Sequence, residues 1–194
     1  MTLMKKITIA ILLAASTLTQ AAPQPIFDGK TLTGWKITGA EAWTVQDGAI
    51  QGENDPKKKG SILWTEKEYT DFVFQCGFKY EGKIDSGVFL RHENDQIQIG
   101  ISGSLKRDLT ASPYIASKKG YPVEAKGVAE LLKEGEWNTM KITAKGAVYT
   151  VELNGKEVMT YTSETAKDKG PIGLQVHPGK EMKILFCDLT LEEL

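Results

Sequence analysis

Glycine cuts this chain into short alternating runs, and that pattern narrows its fold more than any other feature. Nineteen glycines punctuate 194 residues, at roughly the 8–12-residue turn spacing of a sandwich or barrel. The clearest run is EYTDFVFQCGFKYEG. In it Phe72, Phe74, Cys76, Phe78 and Tyr80 share one parity, and Val73, Gln75, Gly77 and Lys79 the other. Side chains alternate across a strand, so one parity faces a core and the other solvent. The aromatic and β-branched content favours strand over helix, and Phe72, Phe74 and Phe78 read as core packing.

The rest of the chain repeats the theme. Asp47-Gly48 in WTVQDGAI and Asn154-Gly155 in VELNGKEVM are two-residue hairpin signals, the second of type I′. Only one stretch is compatible with helix, and Gly127 and Gly135 limit it to a turn or two around Ala129–Lys133,. The last strand, MKILFCDLTLEEL, is apolar on both parities and is expected to be covered on both sides. These signals predict one all-β domain, a two-sheet sandwich.

The first residues, MTLMKKITIAILLAASTLTQAA, place two lysines before a short apolar run and then small residues. That order is a secretory signal, with cleavage expected after Ala21, a mature domain over 22–194, and a periplasmic or secreted protein. No later stretch reads as a membrane span. Loss of Lys5 and Lys6 takes the formal charge from −1 to −3, which leaves no basic stripe for nucleic acid. About 170 residues suffice for a hydrophobic core without disulfides. Export permits a Cys76–Cys187 bridge if their strands are neighbours; two buried free thiols are the alternative.

Familiar catalytic motifs are absent. There is no GxSxG, no phosphate-binding glycine loop, and no Cys/His spacing for a metal,. His92 and His177 lie far apart, so no metal or other cofactor is expected. A different feature stands out between Asp85 and Tyr114. In QIQIGI, Ile97, Ile99 and Ile101 share one parity while Gln96 and Gln98 share the other. Amides at strand spacing suit hydrogen bonds to hydroxyl groups, and aromatic rims suit the C–H faces of sugar rings. The candidate carbohydrate-binding residues are Arg91, Gln96, Gln98, Arg107, Asp108, Tyr114, Gln175 and His177.

The segments FDGKTLTGW, WTVQDGAI, YTDFVF, DSGVFLR, QIQI, GEWNTMKI, LNGKEV and GPIGLQVH…ILFCDLTLEEL occur in this order across residues 22–194. Taken together they resemble the 3-keto-disaccharide hydrolase family. The resemblance implies a concanavalin A-like jelly roll of two antiparallel sheets. It also implies cleavage of glycosides oxidised to a ketone at C3. Such a ketone acidifies the C2–H, so one general base and donors for the enolate oxygen can drive β-elimination at C1, with water adding afterwards. Position by position, SGVFLR places Arg91 in the site, and GLQVH places Gln175 and His177. The family's E-x-Q-I strand reads Gln96-Ile97-Gln98-Ile99 here, so an amide replaces an acid. Asp85, Glu93, Asp95, Asp108 and His177 are the substitutes on offer, with Asp108 and His177 preferred as catalytic groups and Arg107 and Tyr114 as substrate contacts. A non-catalytic carbohydrate-binding module is the alternative, and a partner-binding envelope domain a third possibility.

Overall fold

The computed structural model describes residues 22–194; the signal segment expected over 1–21 lies outside them. Fourteen strands are formed there. They are β1 (Gln24–Pro25), β2 (Trp35–Gly39), β3 (Trp43–Gln46), β4 (Ala49–Glu53), β5 (Ser61–Thr65), β6 (Phe72–Tyr80) and β7 (Asp85–Leu90). The remainder are β8 (Asp95–Gly100), β9 (Pro113–Ile115), β10 (Asn138–Lys145), β11 (Val148–Leu153), β12 (Lys156–Thr162), β13 (Ile172–Val176) and β14 (Lys183–Glu193). One 3₁₀ turn (Ala116–Lys118) and one helical turn (Val128–Leu131) complete the regular structure.

The strands make two antiparallel sheets. One runs β12-β11-β10-β6-β14-β4-β3, with β1 also paired to β14; the other runs β2-β5-β13-β7-β8-β9. Each sheet turns one parity of its strands into the shared core, and β7 and β8 are buried on both parities. Phe72, Phe74, Cys76 and Phe78 of β6 are fully buried, facing Val88, Leu90, Ile97, Ile99 and Leu174 from the other sheet. Each such large apolar side chain stabilises the fold by roughly 1.5–3 kcal/mol relative to exposure. The Asn154-Gly155 turn joins β11 to β12 with positive φ at both residues, as a type I′ turn requires,. No helix among the described residues is long and apolar enough to cross a membrane.

Strand β14 corrects one expectation. It is not covered on both sides: its residues alternate between buried and partly exposed along its length. The pairing with β6 shifts register between Cys187 and Thr190, where Asp188 has φ 50°. This bulge inserts a residue and inverts the parity. Ile184 and Phe186 face inward before it, and Leu189 and Leu191 after it. Apolar residues of both parities therefore serve the same core.

The cysteines do sit on neighbouring strands, yet both are free. Cys187 is the register partner of Gly77, not of Cys76. Adjacent residues on a strand point to opposite faces, so Cys76 enters the core and Cys187 the outer surface.

Candidate active site

The outer face of the six-stranded sheet is laid out in rows. One row crosses all six strands: Lys36, Trp64, Gly173, Phe89, Gln96 and Tyr114, each the register partner of the next. Two residues along, Gln175 pairs with Ile62 and Gly87 with Gln98. Two further, Asp85 pairs with Gly100, and His177 follows Gln175 on the same parity. Aromatic, amide and charged residues thus succeed one another along the strands. Residues 102–104, Lys106, Tyr121 and the Pro178–Lys180 turn wall in a cleft of about 590 Å³ above them.

Two glycines leave room for this arrangement. A Cβ on Gly87 would stand 2.4 Å from Nε2 of Gln96, and one on Gly173 would stand 2.6 Å from the Trp64 ring. With neither present, the Gln96 side chain crosses β7 and its Nε2 donates to Oε1 of Gln175 at 2.6 Å. Trp64 packs on Phe89 with ring centroids 5.6 Å apart.

A chain of polar contacts occupies the charged end. Nε2 of Gln98 donates to Oδ1 of Asp85 at 2.8 Å, and the Tyr121 hydroxyl donates to Oε1 of Gln98 at 3.0 Å. The Lys180 ammonium lies 3.4 Å from Oδ2 of Asp85. Burial pushes the Tyr121 phenol up to about 12, with Asp85 and Tyr114 adding to the rise and a contact to Ser102 opposing it. It therefore stays a protonated donor at neutral pH. At the rim, Nδ1 of His177 lies 2.7 Å from the Pro178 carbonyl oxygen. A carbonyl can only accept, so Nδ1 is the donor in this contact, and Nε2 is the basic nitrogen of the neutral ring.

Of the residues singled out in the sequence, Gln96, Gln98, Tyr114, Gln175 and His177 line this cleft, as do Asp85 and Glu93. Arg91, Arg107 and Asp108 do not. Strand parity would aim Arg91 at the cleft, but its φ of 65° turns the chain. Its guanidinium is instead buried at the end of the sandwich. There it donates to the carbonyls of Thr70, Ala144, Gly146 and Lys167, and to the Asp71 carboxylate. Arg107 and Asp108 follow a tight reversal, in which Ser102 N–H donates to the Arg107 carbonyl and Lys106 has φ 59°. The reversal sends Lys106 to the cleft. Arg107 and Asp108 go to a separate depression, where Arg107 pairs with Glu124 and Asp108 accepts from the Thr110 N–H. Asp95 shares the parity of Ile97 and points inward.

Sequence reasoning missed Lys180, Tyr121 and Phe89. Phe89 was readable from parity, since it alternates with Val88 and Leu90 in SGVFLR. Lys180 and Tyr121 lie in turns that carry no period. Among the described residues no group of three His, Cys, Asp or Glu side chains is placed to hold a metal ion.

Two antiparallel sheets with a polar cleft on the outer face of one define a jelly-roll β-sandwich of the concanavalin A-like class. Within that class, residues 22–192 match the family described as the 3-keto-alpha-glucoside-1,2-lyase-like domain, and the chain belongs to it. No curated protein matches it in sequence. Among solved structures it is similar to a proposed glycosyl hydrolase from Parabacteroides distasonis, at 20% identity and a TM-score of 0.68, over 89% of this chain and 94% of that one. It is also similar to the carbohydrate-binding module CBM66 from Bacillus subtilis, at 16% identity and a TM-score of 0.61, over 82% and 96%. A third, a Bacillus subtilis protein of unknown function with a galectin-like fold, aligns at 11% identity and a TM-score of 0.64, over 90% and 97%.

Proposed function

We propose that this chain is an exported enzyme that cleaves 3-keto-glucosides by elimination. The observation that carries the reading is one cleft holding three amides, an ammonium group and an imidazole anchored through Nδ1 to the Pro178 carbonyl. In this reading the amides of Gln96, Gln98 and Gln175 grip the sugar hydroxyls. Nε2 of His177 removes the C2 proton. The electron pair moves toward the C3 oxygen, where the Lys180 ammonium offsets the growing charge. As the enolate collapses, the C1–O bond breaks, C1=C2 forms, and the leaving oxygen takes up a proton. Water adding across C1=C2 then completes hydrolysis. A single positioned base of this kind contributes about 10²–10⁴-fold to rate. Asp85 accepts from Gln98 and forms an ion pair with Lys180, and so holds both in place.

The reading is tested in deuterated buffer with a 3-keto-glucosyl disaccharide. Deuterium should enter at C2 and the leaving sugar should be released. His177→Ala should lose both while still binding the substrate. Absence of exchange and of cleavage in the unaltered protein removes the reading.

One observation favours a second reading, a non-catalytic carbohydrate-binding module. Position 96 carries an amide whose donor is already engaged by Gln175, and the similarity to CBM66 fits a face that binds without turning over. Saturable sugar binding with no product would select it.

A further inference from the structure

The outer face of the eight-stranded sheet carries a second feature, far in the fold from the cleft. Of the four tryptophans, Trp35, Trp43 and Trp64 are buried, whereas Trp137 is 45% exposed. Its ring lies 3.7 Å from where a Cβ on Gly77 would stand, so the indole rests on the outer face of β6 at van der Waals distance. Beside it, Lys79, Leu185, Gln51 and Thr44 form a row of register partners across four strands. Trp137, Leu185 and Gln51, with Gln46, Asp47 and Lys183, line a shallow depression of about 150 Å³.

Gln51 adds an independent observation. Its Oε1 is buried and has no hydrogen-bond partner. The orientation of this amide is set, because its Nε2 donates to Oε2 of Glu53 at 2.9 Å. An acceptor without a donor is costly, and this one belongs to a side chain that lines the depression beside the indole. A ligand that satisfies both must bring an apolar C–H face for the indole and a hydroxyl for the amide oxygen. A pyranose ring brings both, and Lys183 and Asp47 suit its remaining hydroxyls.

We propose that Trp137 and Gln51 form a second carbohydrate-binding site, separate from the cleft, which takes one glucose-type ring of a glycan. It requires no catalytic step and stands or falls apart from the enzymatic reading. Its role is to hold the protein on a glycan surface while the opposite sheet engages its own ligand.

Tryptophan fluorescence tests it directly, since Trp137 is the exposed reporter. Maltotriose and cellotriose are titrated into the full chain, with acrylamide quenching as a second readout. At least one of them should shift emission to the blue and protect against quenching. Trp137→Ala should abolish both effects. Gln51→Leu should weaken binding about tenfold, the loss of roughly one hydrogen bond. Gln98→Ala, in the cleft, should leave them intact. No response to either sugar, a response that survives Trp137→Ala, or one abolished by Gln98→Ala overturns the proposal.

Discussion

Nε2 of Gln96 donates to Oε1 of Gln175 at 2.6 Å although their strands, β8 and β13, are separated by β7. The bond passes over Gly87, where a methyl group would collide with the amide. Gln96→Glu would place a carboxylate in this bridge, able to accept from the Gln175 amide and to act as a base. We expect elimination from 3-keto-glucosides to rise at least about tenfold, a small part of the range open to a positioned base. Single-turnover kinetics measures it, and an unchanged or lower rate would show that position 96 is remote from the reacting carbon.

Arg91 should matter for stability and not for ligand binding. Arg91→Ala takes the donor from four carbonyls and one of two donors from Asp71, which costs about 3 kcal/mol for the loss of a buried guanidinium,. Arg91→Lys should recover only part, because an ammonium has no planar fork of donors. Urea unfolding reads the effect, while sugar affinity of the folded fraction should not move. A loss of affinity at unchanged stability would return Arg91 to the site.

Acid should unfold the protein in two stages. Asp95 is buried, and burial raises its pKa, but hydrogen bonds from Ser163, Thr165, Asn94 and Tyr149 prevail and hold it below its ordinary value. A carboxyl group depressed on folding contributes stability that is present above its unfolded pKa, near 4, and lost as pH falls through the folded value. His92, 3.4 Å from Asp95, is lowered by burial against the pull of that carboxylate. The unfolded chain therefore takes up this proton first, and stability begins to fall below about pH 6.5. Unfolding free energy measured against pH should lose its upper stage in His92→Gln and its lower stage in Asp95→Asn. A profile unaltered by either change contradicts the assignment.

The two thiols should differ in access. Cys187 is partly exposed; burial, with a hydrogen bond to Asp188, pushes its thiol up to about 12, and Cys76 is fully buried. Maleimide at pH 8 should label one thiol slowly in the native protein and both in denaturant. A chain with neither thiol free would mean that the strands of β6 and β14 are not placed as described.

What could be read in advance, and what could not, divides along a single physical line. Alternation is local, so the core face of β6 and the amide face of β8 follow from composition of the strand alone. The errors all fall where one residue leaves the extended region. Arg91 at φ 65°, Lys106 at φ 59° and Asp188 at φ 50° each invert the side on which the following or present side chain emerges. Arg91 is expected in the cleft from its place at the end of SGVFLR, and Arg107 and Asp108 from their place in the loop after the amide strand; a chain reversal at each point sends their side chains elsewhere. Lys180 and Tyr121 were missed for a related reason. Each stands in a turn, and only the folding of distant strands brings it to Asp85 and Gln98.

The pairing of β1 with β14 sets Gln24 opposite Leu191 and Pro25 opposite Thr190. The first and last strands described are thus next-door neighbours, and the order in which the chain visits its strands is separable from the sheets they make. A short polar linker could join residues 22 and 194, and the chain could be reopened at the Asn154-Gly155 turn. Such a circular permutant should keep both sheets and the cleft. In it the bulge at Asp188, now internal to a continuous β14–β1 ribbon, would still set the inward face of β14.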